Sequence, residues 1–91
     1  MSNEPNTPPA PSDLVDALAN SLKAIDDDYT EEMRELRALF EEARLEAARH
    51  EPNGEKLKAL LADANEMART FATLDPAWQA VQRVARLFGI L

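Results

Sequence analysis

Cysteine is absent from this chain of 91 residues. A disulfide framework, a cysteine nucleophile and a thiolate metal site are therefore excluded. No apolar run reaches the roughly 18 residues that a membrane-spanning helix needs, and the polar, proline-rich beginning of the chain is unlike a signal peptide. From these observations we expect a cytoplasmic protein that binds no membrane.

Glycine occurs only twice, and four of the six prolines lie within residues 1–11. That stretch also carries serine, asparagine and threonine, and its composition predicts a disordered tail. Residues 12–91 suffice for one small domain, close to the size at which a single core stabilises only marginally. We therefore predict a single helical domain over 12–91 and expect it to oligomerise.

Positive charge is scarce, and the formal net charge is −7. Residues 1–75 hold all 17 acidic residues and have a net charge of −9, whereas residues 76–91 have a net charge of +2. Direct binding of nucleic acid needs a basic surface, so this charge argues against it. The charge is compatible with a basic protein partner.

The chain is rich in apolar residues spaced three or four apart, the spacing that places side chains on one face of an α-helix. Three such ladders follow one another, separated by Pro52-Asn53-Gly54 and by Pro76. Their members are Leu14, Leu18, Leu22, Ile25, Tyr29, Met33, Leu36, Phe40, Ala43 and Ala47, then Leu57, Leu60, Leu61, Ala64, Met67, Ala68, Phe71 and Leu74, then Trp78, Val81, Val84, Ala85 and Phe88.

The run from Asp26 to Thr30 allows two interpretations. The ladder keeps its phase through Tyr29 without glycine or proline, which favours one continuous helix from near Ser12 to Arg49. Aspartate is a poor residue inside a helix and a good cap, so a break near Asp27 is the alternative.

Other helix ends have local signals. Ser12 or Asp13 is expected to cap the first helix, and Asp75 to cap the last one with Pro76 at its first position. The turn at 51–54 separates the first helix from the second, which should run from Gly54 or Glu55 to Thr73. Gly89 is expected as the residue that ends the last helix.

These elements predict an all-α fold, an antiparallel hairpin of one long helix, a turn at 51–54 and two shorter helices kinked at Pro76. Val15, Leu39 and Leu45 lie beside the first ladder and widen its apolar stripe beyond what one returning partner covers. We therefore expect two chains to pair into a four-helix bundle. If the chain breaks at Asp27, one chain instead forms its own four-helix bundle.

An acidic surface is expected on residues 26–46, with the candidates Asp26, Asp27, Asp28, Glu31, Glu32 and Glu35. Glu31-Glu32-x-x-Glu35, followed by Asp63-x-x-Glu66, resembles the magnesium site of the all-α nucleotide pyrophosphohydrolases, although the order of the second pair is reversed. That resemblance implies Mg²⁺ bound on a triphosphate. Axial spacing places Asp63 and Glu66 roughly 6–10 Å beyond Glu35. The prediction is a solvated acidic face, with no catalytic residue, metal or cofactor.

The C-terminal helix supplies the second candidate surface. Its apolar face either closes the bundle or forms an interface with a partner, because tryptophan and phenylalanine anchor interfaces. The interface candidates are Trp78, Val81, Leu87, Phe88, Ile90 and Leu91. The run from Leu36 to Leu91, with its Glu-Pro-Asn-Gly turn and its ending Val-Ala-Arg-Leu-Phe-Gly, resembles helical segments of short bacterial proteins, some appended to conflict-system effectors. The resemblance implies a helical adaptor in a bacterium.

The sequence therefore predicts a non-enzymatic helical interaction protein that forms a homodimer and contacts other proteins. Tyr29, Phe40, Phe71, Trp78 and Phe88 are expected to anchor its core or interface. One alternative is an acidic, antitoxin-like inhibitor that masks a basic, nucleic-acid-binding site on its target. A further alternative is the magnesium-dependent pyrophosphohydrolase.

Overall fold

The structure, a computed structural model, describes residues 11–90. Four α-helices occupy most of this range, and two 3₁₀ turns lead into the second and fourth of them. Their bounds are α1 (Pro11–Asp27), a 3₁₀ turn (Glu31–Met33), α2 (Arg34–Ala47), α3 (Gly54–Ala68), a 3₁₀ turn (Ala72–Leu74) and α4 (Asp75–Leu87). None of the described residues is in a strand, and the predicted all-α bundle is confirmed. Leu91 and the predicted tail, apart from Pro11, lie outside the described residues.

Consecutive helices run antiparallel, because each short connection brings the end of one helix beside the start of the next. Side-chain pairs bridge the three corners: Asp26 with Arg37, Glu46 with Lys56, and Asn65 with Trp78. The backbones of α1 and α2, α2 and α3, and α1 and α4 lie close together. The α3 and α4 helices are joined more through side chains, which leaves the bundle most open between them.

One continuous core lies between the four helices, and the three ladders supply it. Its largest fully buried side chains belong to Leu18, Ile25, Leu36, Phe40, Leu61, Leu74 and Val81. Val15, Leu39, Met67, Phe71, Val84, Phe88 and Ile90 are half-buried against it. The stripe that was expected to need a second chain is therefore mostly covered within one chain, and Leu45, at 55 % exposed, and Tyr29 remain outside the core.

The expected continuous helix from Ser12 to Arg49 is wrong, and the alternative break is present. α1 ends at Asp27, Thr30 is extended, and the backbone N–H of Met33 donates to the carbonyl of Thr30 at 3.0 Å. Three consecutive aspartates favour leaving the helix, and the corner lets α2 fold back to bury Met33. Tyr29 lies in this corner at 43 % exposed and does not anchor the core.

Several predicted helix ends shift. Ser12 and Asp13 lie within α1 rather than at its cap. Asp75 is the first residue of α4 and its side chain forms no capping hydrogen bond among the described residues, because a 3₁₀ turn leads directly into that helix. The second helix stops at Ala68 rather than Thr73, and α2 stops at Ala47. Asn53 caps α3, since its side chain accepts from the backbone N–H of Lys56 at 3.1 Å.

The predicted role of Gly89 is confirmed. It has a positive φ of 76°, its N–H donates to Arg86 at 2.9 Å, and the N–H of Ile90 donates to Ala85 at 2.9 Å. This pair of bonds is a Schellman motif, which turns the chain back on the helix that it ends. The motif places Ile90 against the core beside Phe88.

Candidate interaction surfaces

The six interface candidates of the C-terminal helix separate into different environments. Trp78 and Val81 are core residues, 4 % and 0 % exposed, so they close the bundle within one chain. The Trp78 ring stacks on Phe40 with centroids 5.4 Å apart and planes inclined by 15°. Leu87 is 64 % exposed on the outer side of α4. Phe88 and Ile90 are half-buried, and Leu91 lies outside the described residues.

Phe88 and Ile90 line an apolar cavity of about 290 Å³ at one end of the bundle, here called the end groove. Every helix or an adjoining connection contributes to it, and its full lining is Leu14, Ala47, Pro52, Gly54, Leu57, Phe88 and Ile90. No charged side chain is among them. The groove lies at the end of the bundle where α1 and α3 begin and α2 and α4 end.

The wall that contains Pro52 is held by a buried carboxylate, which the sequence analysis missed. Glu46 is 3 % exposed and accepts a hydrogen bond from the backbone N–H of Asn53 at 2.8 Å. Nη1 of Arg49 lies 3.3 Å from Oε1 of Glu46, and Nζ of Lys56 lies 3.6 Å from the same oxygen. The Asn53 N–H lowers the pKa of Glu46 below its ordinary value, and the two cations lower it further, against the effect of burial. The sequence did contain a signal for this buried carboxylate, because Glu46 lies on the apolar side of α2 with Ala43 and Ala47.

The six acidic candidates are all exposed, but three of them are paired. Asp26 accepts from Nε and Nη2 of Arg37 at 2.8 and 3.3 Å, and the first of these contacts lowers the pKa of Asp26. Oδ2 of Asp27 lies 3.6 Å from Nζ of Lys23, and Oε1 of Glu31 lies 3.6 Å from Nη2 of Arg34. Asp28, Glu32 and Glu35 form no ion pair within residues 11–90.

Glu32 and Glu35 line a second concave surface, of about 550 Å³, at the opposite end of the bundle, here called the acidic groove. Its complete lining is Glu32, Glu35, Glu66, Met67, Thr70 and Phe71. Glu66 of α3 therefore lines the same groove as Glu32 of the first 3₁₀ turn and Glu35 of α2, whereas Asp63 does not line it. No group of three or more histidine, aspartate or glutamate side chains in the described range is arranged to hold a metal ion.

The composition and length of the helices bear on membranes as well. Within the described part of the chain, no helix has both the length and the apolar character needed to cross a bilayer.

Comparisons with protein-family models, curated proteins and solved structures find no match to this chain.

Proposed function

We propose that this protein is a non-enzymatic helical interaction module that binds a second copy of itself through the end groove. The end groove is the observation that supports this proposal. Its lining is apolar and concave and includes an aromatic ring, and such surfaces anchor partner side chains. Pro52 at its rim is exposed, so a partner has access to it.

This basis for a homodimer differs from the one that the sequence suggested. The wide apolar stripe of the first ladder packs against the chain's own helices, so it does not need a second chain to cover it. Two end grooves brought together around a twofold axis form an isologous contact, in which the same residues serve both copies. One end of so small a bundle offers less than the roughly 800 Å² per partner of a standard interface, so we expect weak association, roughly micromolar or weaker.

Sedimentation equilibrium over a wide concentration range tests the proposal. The average mass of the wild type should rise above the 10.1 kDa of one chain as concentration increases. Gly54→Trp should lower the association constant, because Gly54 lines the groove and the added ring would occupy the space of the partner. A Cβ at this position meets no other described atom within 4 Å. Ala59→Trp adds the same ring at an exposed position of α3 outside both grooves and should associate like the wild type. A mass of one chain at every concentration would refute self-association.

A second candidate function is the acidic inhibitor, and the carboxylates of Glu32, Glu35 and Glu66, which form no ion pair among residues 11–90, favour it. They lie at the end of the bundle opposite the end groove. A dimer that forms through the end groove therefore leaves the acidic groove of each copy accessible. Binding of a basic target by this end should weaken steeply as salt is raised. Binding that is insensitive to salt would exclude this candidate.

A further inference from the structure

We propose that the acidic groove binds an arginine- or lysine-bearing apolar segment of a protein partner. The aliphatic stem of the basic side chain would lie on Met67 and Phe71, and its charged head among the three glutamates. This inference rests on the proposed function only in that the protein acts by binding other proteins. It names a surface that is distinct from the end groove and a partner chemistry that the end groove does not share.

The floor of the groove is apolar. Met67 and Phe71 are half-buried, pack against the core and line the groove with their exposed parts. Long basic side chains bury their methylene stems on such surfaces while the charged head remains near water. An aromatic face attracts a cation in addition, and methionine adapts to neighbours of different shape.

The rim carries negative charge that the chain itself does not neutralise. Glu32, Glu35 and Glu66 form no ion pair within the described range. Nearby acidic residues are treated differently, since Asp26, Asp27 and Glu31 are each paired with a basic side chain. Unneutralised charge is therefore concentrated where the apolar floor is, and this charge complementarity selects a basic partner.

The combination distinguishes this surface from a purely acidic patch. Carboxylates alone would attract any polycation, whereas the floor adds a requirement for apolar contact beside the positive charge. The surface is open to solvent on one side, so apolar neighbours in the partner segment can lie on it beside the basic side chain. We therefore expect both parts of the partner, the cation and its apolar neighbours, to contribute to binding.

A titration of the ¹⁵N-labelled full chain with short synthetic peptides tests this directly by NMR. A peptide of alternating arginine and leucine pairs should shift the amide signals of Glu32, Glu35, Met67, Thr70 and Phe71. Replacing its arginines by glutamate should abolish the shifts, and replacing its leucines by serine should weaken binding severalfold. Equal binding of the leucine and serine peptides, or shifts spread over the whole acidic surface, would overturn the proposal.

Variants separate this inference from the proposed function. The triple change Glu32→Gln, Glu35→Gln and Glu66→Gln should weaken peptide binding roughly tenfold, as expected for the loss of a few surface ion pairs. A control with equal charge loss away from the groove, Asp16→Asn, Glu51→Gln and Glu55→Gln, should change it less than about threefold because salt screens distant charges. If the two triple variants bind alike, the acidic groove is not the site. Self-association is measured separately by sedimentation, so either proposal can be refuted without the other.

Discussion

The indole Nε1 of Trp78 donates a hydrogen bond to Oδ1 of Asn65 across the α3–α4 side of the bundle, over a distance of 2.8 Å. Nε2 of Gln82 donates to the same oxygen at 3.2 Å. The indole is almost fully buried, and α3 and α4 have few close backbone approaches. One amide oxygen therefore joins α3 and α4, which have few other close approaches.

Removing this acceptor should destabilise the fold. Asn65→Ala leaves the buried indole N–H without its partner, and we expect a loss of about 1–3 kcal/mol in the free energy of unfolding. Asn65→Asp retains an acceptor at the same place and should lose less. Urea unfolding followed by the fluorescence of Trp78 measures both variants. Equal losses would show that the hydrogen bond contributes little.

Ser21 provides the opposite case. It is 1 % exposed, and its Oγ is buried without a hydrogen-bond partner among residues 11–90. Ser21→Ala removes this unsatisfied group and should raise the free energy of unfolding by about 1 kcal/mol. The reverse change one turn earlier, Ala17→Ser, should lower it, because Ala17 is buried on the same side of α1. A destabilised Ser21→Ala variant would mean that the hydroxyl has a partner in solution.

Glu46 should make stability depend on pH in the acid range. Its pKa in the folded protein lies below the ordinary value of 4.5, chiefly because of the Asn53 N–H. Its contribution is therefore fully present above about pH 4.5 and is lost as the pH falls through the folded-state pKa. The stability difference between wild type and Glu46→Gln should be largest near neutrality and shrink in acid.

Thermal unfolding at a series of pH values checks this dependence. Glu51→Gln is the matched control, since Glu51 lies exposed in the same connection and its change should alter stability by less than about 0.5 kcal/mol. A difference between wild type and Glu46→Gln that stays constant from neutral to acid pH would contradict the role assigned to the Glu46 carboxylate.

The two glycines should respond in opposite directions to alanine. Gly89 has a φ of 76°, so Gly89→Ala should cost about 1 kcal/mol. Gly54 has no such φ, and a Cβ there meets nothing within 4 Å. Gly54→Ala should therefore stabilise by about 0.5 kcal/mol, through a smaller conformational entropy of the unfolded chain. Chemical denaturation of the two variants gives both values, and changes of the same sign would contradict this difference.

The sequence predicted the helices well because their ladders have one period and their core faces are continuous. It favoured the wrong interpretation at residues 26–30 because the ladder keeps its phase through Tyr29. Spacing records which face is apolar, but it does not record the cost of three adjacent aspartates or the burial gained when α2 folds back. The end of α4 was predicted because Gly89 alone satisfies the backbone requirement there.

The candidate sites were predicted only in part. Phe88 and Ile90 were recognised as surface-forming, but Pro52 and Leu57 join them only through tertiary packing. Glu66 meets Glu32 and Glu35 because helix lengths and 3₁₀ turns set the axial register of α3 against α2, and no local signal reveals that register. The buried position of Glu46 depends in the same way on the connection that folds over it.

Contact between two copies through the end groove can be measured by intermolecular paramagnetic relaxation. The chain has no cysteine, so Glu51→Cys carries a single spin label beside Pro52. When labelled protein is mixed with a ¹⁵N copy that bears no spin label, signals of Leu57, Phe88 and Ile90 should broaden while those of Glu35 and Phe71 remain sharp. Absence of broadening at high concentration, or broadening confined to the acidic groove, would contradict the claim.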